Sequence, residues 1–561
     1  MSDKTQKKIS FRGKVIKLDF WNIILLCILA VFALLLIYPL FSLFATGFQN
    51  SATGEFSLEH FERFFSRPFF YNTLINSFWI TVSTTILAIV IGAPLAYFAT
   101  VYKIRGKGLL NTLIIISMLS PPFIGAYSWI LLGGRNGLLT NFFSNVFGVE
   151  FPSIYGFSGI LLVLTLRLFP FIYLFTGGAL KKVDASLIEA AESLGCTPFK
   201  KIATVIMPLV TPSIMAGALL VFMTAFADFG TPMLIGEGFM TMPVLIFREF
   251  IGEIGGQANF AAALSILMVL ITAIIFLVQK YIVNRKSFTM SSLRPLQAKE
   301  LTGSKNILIH LYIYIVVGLA IIPQITVIYT SFRATQGSRF IEGFSLESYR
   351  RIFSNLGSSI TNTYVFGLIS IAIVVVLSMF IAYLTIRRKN VLTDVLDSVT
   401  MFPFIIPGSV LGITLLLAFN QPPLLLSGSA FILILAFVIR RLPYTLRSSS
   451  AILYQISPST EEAAISLGDS PIKAFFKVTA VMMMPGVLSG AILSWITIIN
   501  ELSASVILHT GRTRTMSVAI YQEVIRASYG PAAALATILT LTTVVSLLIF
   551  FKISGKNDIS L

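Results

Sequence analysis

The sequence predicts an all-α polytopic membrane protein. It should have about 12 transmembrane helices, arranged as two parallel six-helix repeats related by a pseudo-twofold axis along the membrane normal. Three observations predict this. The 561 residues are 56% hydrophobic and only 12% charged, with mean hydropathy +0.88, whereas soluble domains carry about 25% charged residues. Apolar runs long enough to span a bilayer recur along the whole chain. A short polar element occurs twice, at the same place in each half. The lack of long polar blocks excludes a large soluble domain.

The first run follows six basic residues that precede Trp21. It is about 25 residues long, too long for the core of a signal peptide, and no small-residue cleavage site follows, so it reads as a retained span. A span needs about 20 mainly apolar residues. The candidates are 21–45, 73–101, 109–133, 156–180, 212–236, 258–283, 306–332, 361–386, 395–419, 429–447, 486–508 and 531–552. With the N-terminus inside, the inner segments hold 29 of the 41 Lys and Arg residues and the outer loops 11; Arg167 lies within a span. Basic residues favour the cytoplasmic side, so both termini are expected there. The net charge of +17 is then a topology signal, and no nucleic-acid partner is expected.

The two polar elements align with a constant shift of 273 residues: Glu189 maps to Glu462, Gly195 to Gly468, Pro212 to Pro485 and Gly217 to Gly490. "RLFP" at Arg167–Pro170 maps to "RRLP" at Arg440–Pro443. Looser echoes follow, such as "AY" at 96 and 382 and "SLE" at 57 and 345. The expected organisation is a basic N-terminus at 1–20, a first domain at 21–283, a linker at 284–305, a second domain at 306–552 and a tail at 553–561. An even number of spans per copy makes the repeat parallel.

Each polar element reads as two short helices with a sharp bend, on the cytoplasmic side. Ser186 with Glu189, and Ser459 with Glu462, fit a capping box. Small pairs follow, Ala190-Ala191 and Ala463-Ala464, as an expected docking face. Gly195 and Gly468 suit a helix C-cap. Thr197-Pro198 and Ser470-Pro471 suit an N-cap with proline at the first helical position. For a single copy a structural elbow would suffice; two copies kept in full on one membrane side favour docking of a partner.

This element resembles the "EAA" loop of permeases in binding-protein-dependent ATP-binding-cassette importers. The first copy matches as Glu189, Ala190, Ala191, Gly195 and Pro208; the second as Glu462, Ala463, Ala464 and Gly468, with Val481 where Pro208 stands. The resemblance covers essentially the whole chain as two fused permease domains. It implies two cytoplasmic ATPase subunits, one per loop, and an extracytoplasmic solute-binding protein. The chain has no G-x-x-x-x-G-K-[ST] motif, so it is not expected to be an enzyme, and ATP hydrolysis falls to the partners.

Four charges lie at span depth. Asp228 in "ADFG" and Glu501 in "NEL" are 273 apart, as are Arg167 and Arg440. Buried ionisable groups face a cavity or one another. They therefore line a translocation path, or pair as Asp228–Arg167 and Glu501–Arg440; near the cytoplasmic end Arg440 and Arg441 would instead snorkel. "SPPFIG" at 120–125 and "FPFIIPG" at 402–408 mark kinked spans at corresponding places. The longest outer loops, 46–72 and 333–360, would face the binding protein.

His60, His310 and His509 share no metal-ligand spacing and read as surface or interface residues. No cofactor, metal site or catalytic cluster is expected. Among importer permeases, "DFG", "NEL" and "RRLP" look most like the ferric-iron uptake permeases, with relatives for 2-aminoethylphosphonate, thiamine or polyamines as alternatives. An ion-coupled secondary transporter with parallel halves would use Asp228 and Glu501 as ion sites but leaves the twin loops unexplained.

Overall fold

The computed structural model describes residues 8–11, 14–17, 19–252, 257–285, 294, 296–337 and 339–554. Parts of the expected N-terminus, linker and tail therefore lie outside the described residues. The chain begins with a small hairpin, β1 (Lys8–Phe11) and β2 (Lys14–Lys17). The first half then runs α1 (Phe20–Gly47), α2 (Glu59–Ser66), α3 (Pro68–Val101), α4 (Lys107–Leu119), α5 (Pro122–Gly133), α6 (Leu138–Phe147), α7 (Phe157–Leu180) and α8 (Ala185–Ser193). It continues with α9 (Pro198–Phe226), α10 (Gly230–Ile235), α11 (Met242–Ile251) and α12 (Ala258–Arg285).

The second half repeats this order, with a hairpin added after its first helix and no counterpart of α6. It runs α13 (Gly303–Ser331), a hairpin of β3 (Arg333–Gln336) and β4 (Arg339–Phe344), α14 (Glu347–Asn355), α15 (Gly357–Arg387), α16 (Val391–Met401) and α17 (Gly408–Phe419). Then come α18 (Ala430–Gln455), α19 (Pro458–Ser466), α20 (Pro471–Ile499), α21 (Ser505–Leu508), α22 (Met516–Ile525) and α23 (Tyr529–Ser554). Even the π-helical turns inside α9 and α20 recur, at Ile202–Ile206 and Phe475–Thr479.

Nine helices among the described residues are long and apolar enough to cross a membrane, and two bent pairs raise this to 11. The sequence reading of twelve also counts α18. That helix has 26 residues but carries Arg440, Arg441 and Arg447, a charge load that sets it apart from the other spans. The two bent pairs are the predicted kinks. Lys107–Leu119 meets Phe123–Phe147 at 100°, and Val391–Phe404 meets Gly408–Phe419 at 112°. Consecutive prolines at 121–122, and Pro403 with Pro407, remove the amide donors that would continue each helix.

Each half is built on a three-helix core, α3–α7–α9 and α15–α18–α20. Helices in lipid associate through close packing and small residues. Gly217 and Gly490 do this in equivalent places: a Cβ at Gly217 would lie 3.3 Å from the Phe175 Cβ of α7, and one at Gly490 would lie 2.7 Å from the Ser448 Cβ of α18. The first helix of each half crosses to the other. Helix α1 packs on α16 and α17, and α13 packs on α4 and α5. At the ends of these crossings Trp21 of α1 sits 4.4 Å, ring to ring, from Tyr383, and Tyr312 of α13 donates its hydroxyl to the Ile91 carbonyl at 2.8 Å.

Candidate coupling and translocation sites

The two polar elements fold as near-identical elbows, α8 into α9 and α19 into α20. Their starts differ from the expected capping boxes. Asp184 and Ser457 are the N-caps, accepting from the amides of Ser186 at 2.9 Å and Ser459 at 3.4 Å. The helices thus begin at Ala185 and Pro458, before the serines assigned to the cap. Glu189 then lies beyond the first turn and pairs with Arg294 at 3.8 Å instead. The ends agree with expectation. Gly195 and Gly468 have φ of +74° and +100°, a region open chiefly to glycine. Cys196 and Asp469 donate back to the Ala191 and Ala464 carbonyls at 3.0 and 3.1 Å, closing each helix in the six-to-one pattern. Thr197 and Ser470 cap the following helices through the amides of Lys200 and Lys473.

The small pairs do not form one open face. Ala191 is buried against its own bundle while Ala190 and Ala463 are exposed and Ala464 is half-buried. Glu189 and Glu462 point to solvent. The sequence reading missed the most prominent residues, Leu194 and Leu467, which are 83% and 90% exposed. Both sit just before the C-cap glycine, a "SLG" shared by the two copies. A leucine held out on a rigid bend has no use to a lone permease and suits a pocket on a partner. Ion pairs lock each bend, though from different positions. Lys201 bonds Glu192 in the first elbow, and Lys473 bonds Asp469 at 2.9 Å in the second. These hydrogen bonds hold the Glu192 and Asp469 carboxyls below their usual pKa values.

The four charges at span depth pair. Arg167 Nη1 donates to Asp228 Oδ2 at 2.8 Å, and Arg440 Nη1 lies 2.5 Å from Glu501 Oε2. Arg441, which the sequence reading placed with the cytoplasmic residues, bonds the same Glu501 oxygen. The arginines are the eleventh and twelfth residues of α18, in its middle and far from either end. The carboxylates are buried, at 7% and 4% exposure. Each also ends a long helix and starts a short one. The Thr231 amide donates to Asp228 Oδ1 at 2.9 Å, and the Ala504 amide to Glu501 Oε1 at 3.2 Å. This is N-cap chemistry strengthened by charge.

The first short helix meets the turn before the second where the halves join: a Cβ at Gly230 would lie 3.5 Å from Leu502. The breaks in the bent spans sit over the arginines. A Cβ on Gly408 would come 2.7 Å from Ser503 Cβ and collide with the Arg440 guanidinium. Arg167 shares a cavity of about 20 Å³ with Ser117, Ser120 and Gln324, room for one water and no more. The histidines are scattered. His60, expected at the surface or at an interface, is buried within the chain, with Nε2 3.2 Å from the Gln49 carbonyl.

The family described as the binding-protein-dependent transport system inner membrane component matches residues 88–288 and 374–556. The chain belongs to this family. The permease is 28% identical over 547 residues to the ferric transport system permease protein FbpB of Actinobacillus pleuropneumoniae, covering 95% of this chain and 78% of that one. The Fe(3+)-transport system permease protein FbpB 2 of Haemophilus influenzae is 26% identical over 494 residues, 87% of this chain and 91% of that one. A protein named as a 2-aminoethylphosphonate transport system permease, PhnU of Salmonella typhimurium, is 28% identical over 233 residues, 41% of this chain and 81% of that one. The two matched segments and the repeated fold make this permease a tandem, multi-pass inner-membrane component of an ATP-binding-cassette importer. Such a permease works with an ATPase and a solute-binding protein.

Proposed function

We propose that this permease carries ferric iron from an extracytoplasmic binding protein across the inner membrane. The observation that supports iron most is similarity along nearly the whole chain to permeases named for ferric transport. The similarity to the 2-aminoethylphosphonate permease reaches less than half of the chain, which makes that solute the second reading. Oxygen-rich carboxylates suit a hard cation, but Asp228 and Glu501 are already paired. Family membership leaves an ion-coupled mechanism without support.

In this reading two cytoplasmic ATPase subunits dock, one on each elbow, through Glu189, Ala190, Ala191 and Gly195 and through Glu462, Ala463, Ala464 and Gly468. ATP hydrolysis is theirs. Asp228, Glu501, Arg167 and Arg440 flank the path, and their ion pairs tie the start of α10 to α7 and the turn before α21 to α18 at its gate. Residues 21–283 and 306–552 are the two permease domains. Segments 1–20, 284–305 and 553–561 are cytoplasmic, as the distribution of basic residues supports.

The test is uptake of radiolabelled ferric iron by cells lacking the gene. They are complemented with wild type or with Glu189→Ala/Glu462→Ala at equal membrane levels. Wild type restores uptake and the double variant does not. If wild type leaves iron uptake unchanged, iron is the wrong solute, and 2-aminoethylphosphonate is assayed in the same cells.

A further inference from the structure

The two elbows are anchored to the membrane helices by different chemistry. In the second, Tyr383 of α15 donates to Glu461 Oε1 at 2.5 Å. Thr479, on the π turn of α20, donates to Glu461 Oε2 at 2.9 Å. Tyr383 and Thr479 are each 2% exposed, so the carboxylate bridges two buried hydroxyls. In the first elbow the equivalent positions, 273 residues earlier, are Ile188 and Ile206. Both are buried in one apolar cluster, against which Tyr97 packs. Tyr97 is the counterpart of Tyr383 in the "AY" echo.

Both members of the pair change together, isoleucine with isoleucine or glutamate with threonine. The elbow bends the same way in either case, so the fold does not require the polar set. Burying a carboxylate costs free energy that isoleucine does not. What the polar set adds is register. Apolar surfaces slide past each other with little loss, whereas a carboxylate with a hydrogen bond on each oxygen must break both before it moves.

We propose that Glu461 is a positioning residue that fixes the second coupling helix to α15. A push on α19 then moves α15 and, through the Tyr383–Trp21 ring contact, the end of α1. The first elbow is tied differently, by two hydrogen bonds to Arg294 of the linker: the Ala185 amide donates to the Arg294 carbonyl at 2.9 Å, and the Arg294 amide to Asp184 Oδ2 at 3.2 Å. The stroke therefore enters the two halves unequally. This rests on the reading of the elbows as ATPase docking sites.

The complex of permease and ATPase is purified, reconstituted and assayed for basal ATP hydrolysis, for hydrolysis stimulated by the binding protein, and for uptake. Glu461→Ile/Thr479→Ile transplants the first elbow's solution. It should keep the ATPase bound and basal hydrolysis near wild type, while stimulation and uptake fall at least about ten-fold, the scale of one of the two charged hydrogen bonds lost. Tyr383→Phe, which removes a single hydroxyl, should act the same way if the double variant does not assemble. Glu461→Gln, which keeps the bridge, should recover part of the loss. Unchanged stimulation in these variants overturns the proposal, as does an equal fall in basal and stimulated hydrolysis. A wild-type permease that holds no ATPase overturns the docking reading itself, a separate and recognisable result.

Discussion

Asn500, in the second half, donates its side-chain amide to the carbonyl of Leu119, the last residue of α4 in the first half, at 3.0 Å. Leu119 stands at the first span break, where Pro122 and Pro121 offer no amide to receive from. The counterpart of Asn500 is Ala227, so the bond exists in one direction only. Replacing Asn500 with alanine leaves that carbonyl unpaired, a loss of about 1–3 kcal/mol. The expected result is a lower thermal midpoint for the Asn500→Ala protein in detergent; a midpoint equal to wild type would remove the bond's structural role.

The charge clusters predict an order among variants. Glu501→Gln leaves Arg440 and Arg441 buried without a carboxylate, while Arg441→Leu leaves a single intact pair. Breaking a buried pair by removing one partner costs about 3–5 kcal/mol, so Glu501→Gln should unfold first on heating, and Arg441→Leu should stay close to wild type. Leucine is the natural test, since Leu168 occupies the matching position in the first half. The reverse order would mean that Arg441, not Glu501, is the centre of the cluster.

At Gly195 and Gly468 a Cβ would meet nothing within 4 Å. Alanine there strains only the backbone, by about 1–2 kcal/mol for a left-handed residue. Large side chains would also project beside Leu194 and Leu467. Gly195→Trp/Gly468→Trp should therefore release the ATPase from the purified permease, and Gly195→Ala/Gly468→Ala should retain most of it. Full retention by the tryptophan variant, with coupled transport, would sink the docking role of both elbows.

Leu194 and Leu467 give a separate expectation. Changing both to serine removes no packing within the permease, so its own thermal midpoint should hold. ATPase co-purification should fall several-fold, as for the loss of a buried apolar anchor. Binding at wild-type level would place the contact elsewhere on the elbow.

The bends should loosen in acid. Glu192 and Asp469 have folded pKa values below their ordinary 4.5 and 3.8. Their stabilisation is thus complete above those ordinary values and is lost as pH falls through the lower folded ones. Amide exchange at 193–200 and 466–473, normalised for intrinsic rate, should quicken below about pH 4. The Glu192→Gln/Asp469→Asn protein should exchange faster already at neutral pH and show little further change; a pH response equal to wild type would refute this assignment.

Much of this architecture was legible because it is written twice. A shift of 273 residues locates both elbows and both ion-pair carboxylates without reference to any contact, and the proline breaks follow at a slightly larger offset. What escaped depends on side-chain direction. Ala190 and Ala191 are adjacent in sequence, yet one turns out and the other in. The capping serines were misplaced because Asp184 and Ser457 offer an equivalent oxygen two residues sooner. Arg440 and Arg441 read equally well as a snorkelling pair near the end of a span; Glu501, which holds both, lies 60 residues beyond Arg441. The burial of His60 is not legible because no local pattern reveals the ring of Phe260, 6.2 Å from it.

The crossing of α1 and α13 has a consequence for biogenesis. Helix α1 leaves the ribosome about 370 residues before α16, against which it packs, and at roughly 5–20 residues per second that is a delay of about 20–75 s. Trp21 spends that interval without its tyrosine. The nascent first half is inserted with an empty berth beside α4 and α5 and with one face of α1 uncovered, a state that invites pairing with another nascent chain. Joining both halves in one polypeptide keeps the right partner closest when it arrives.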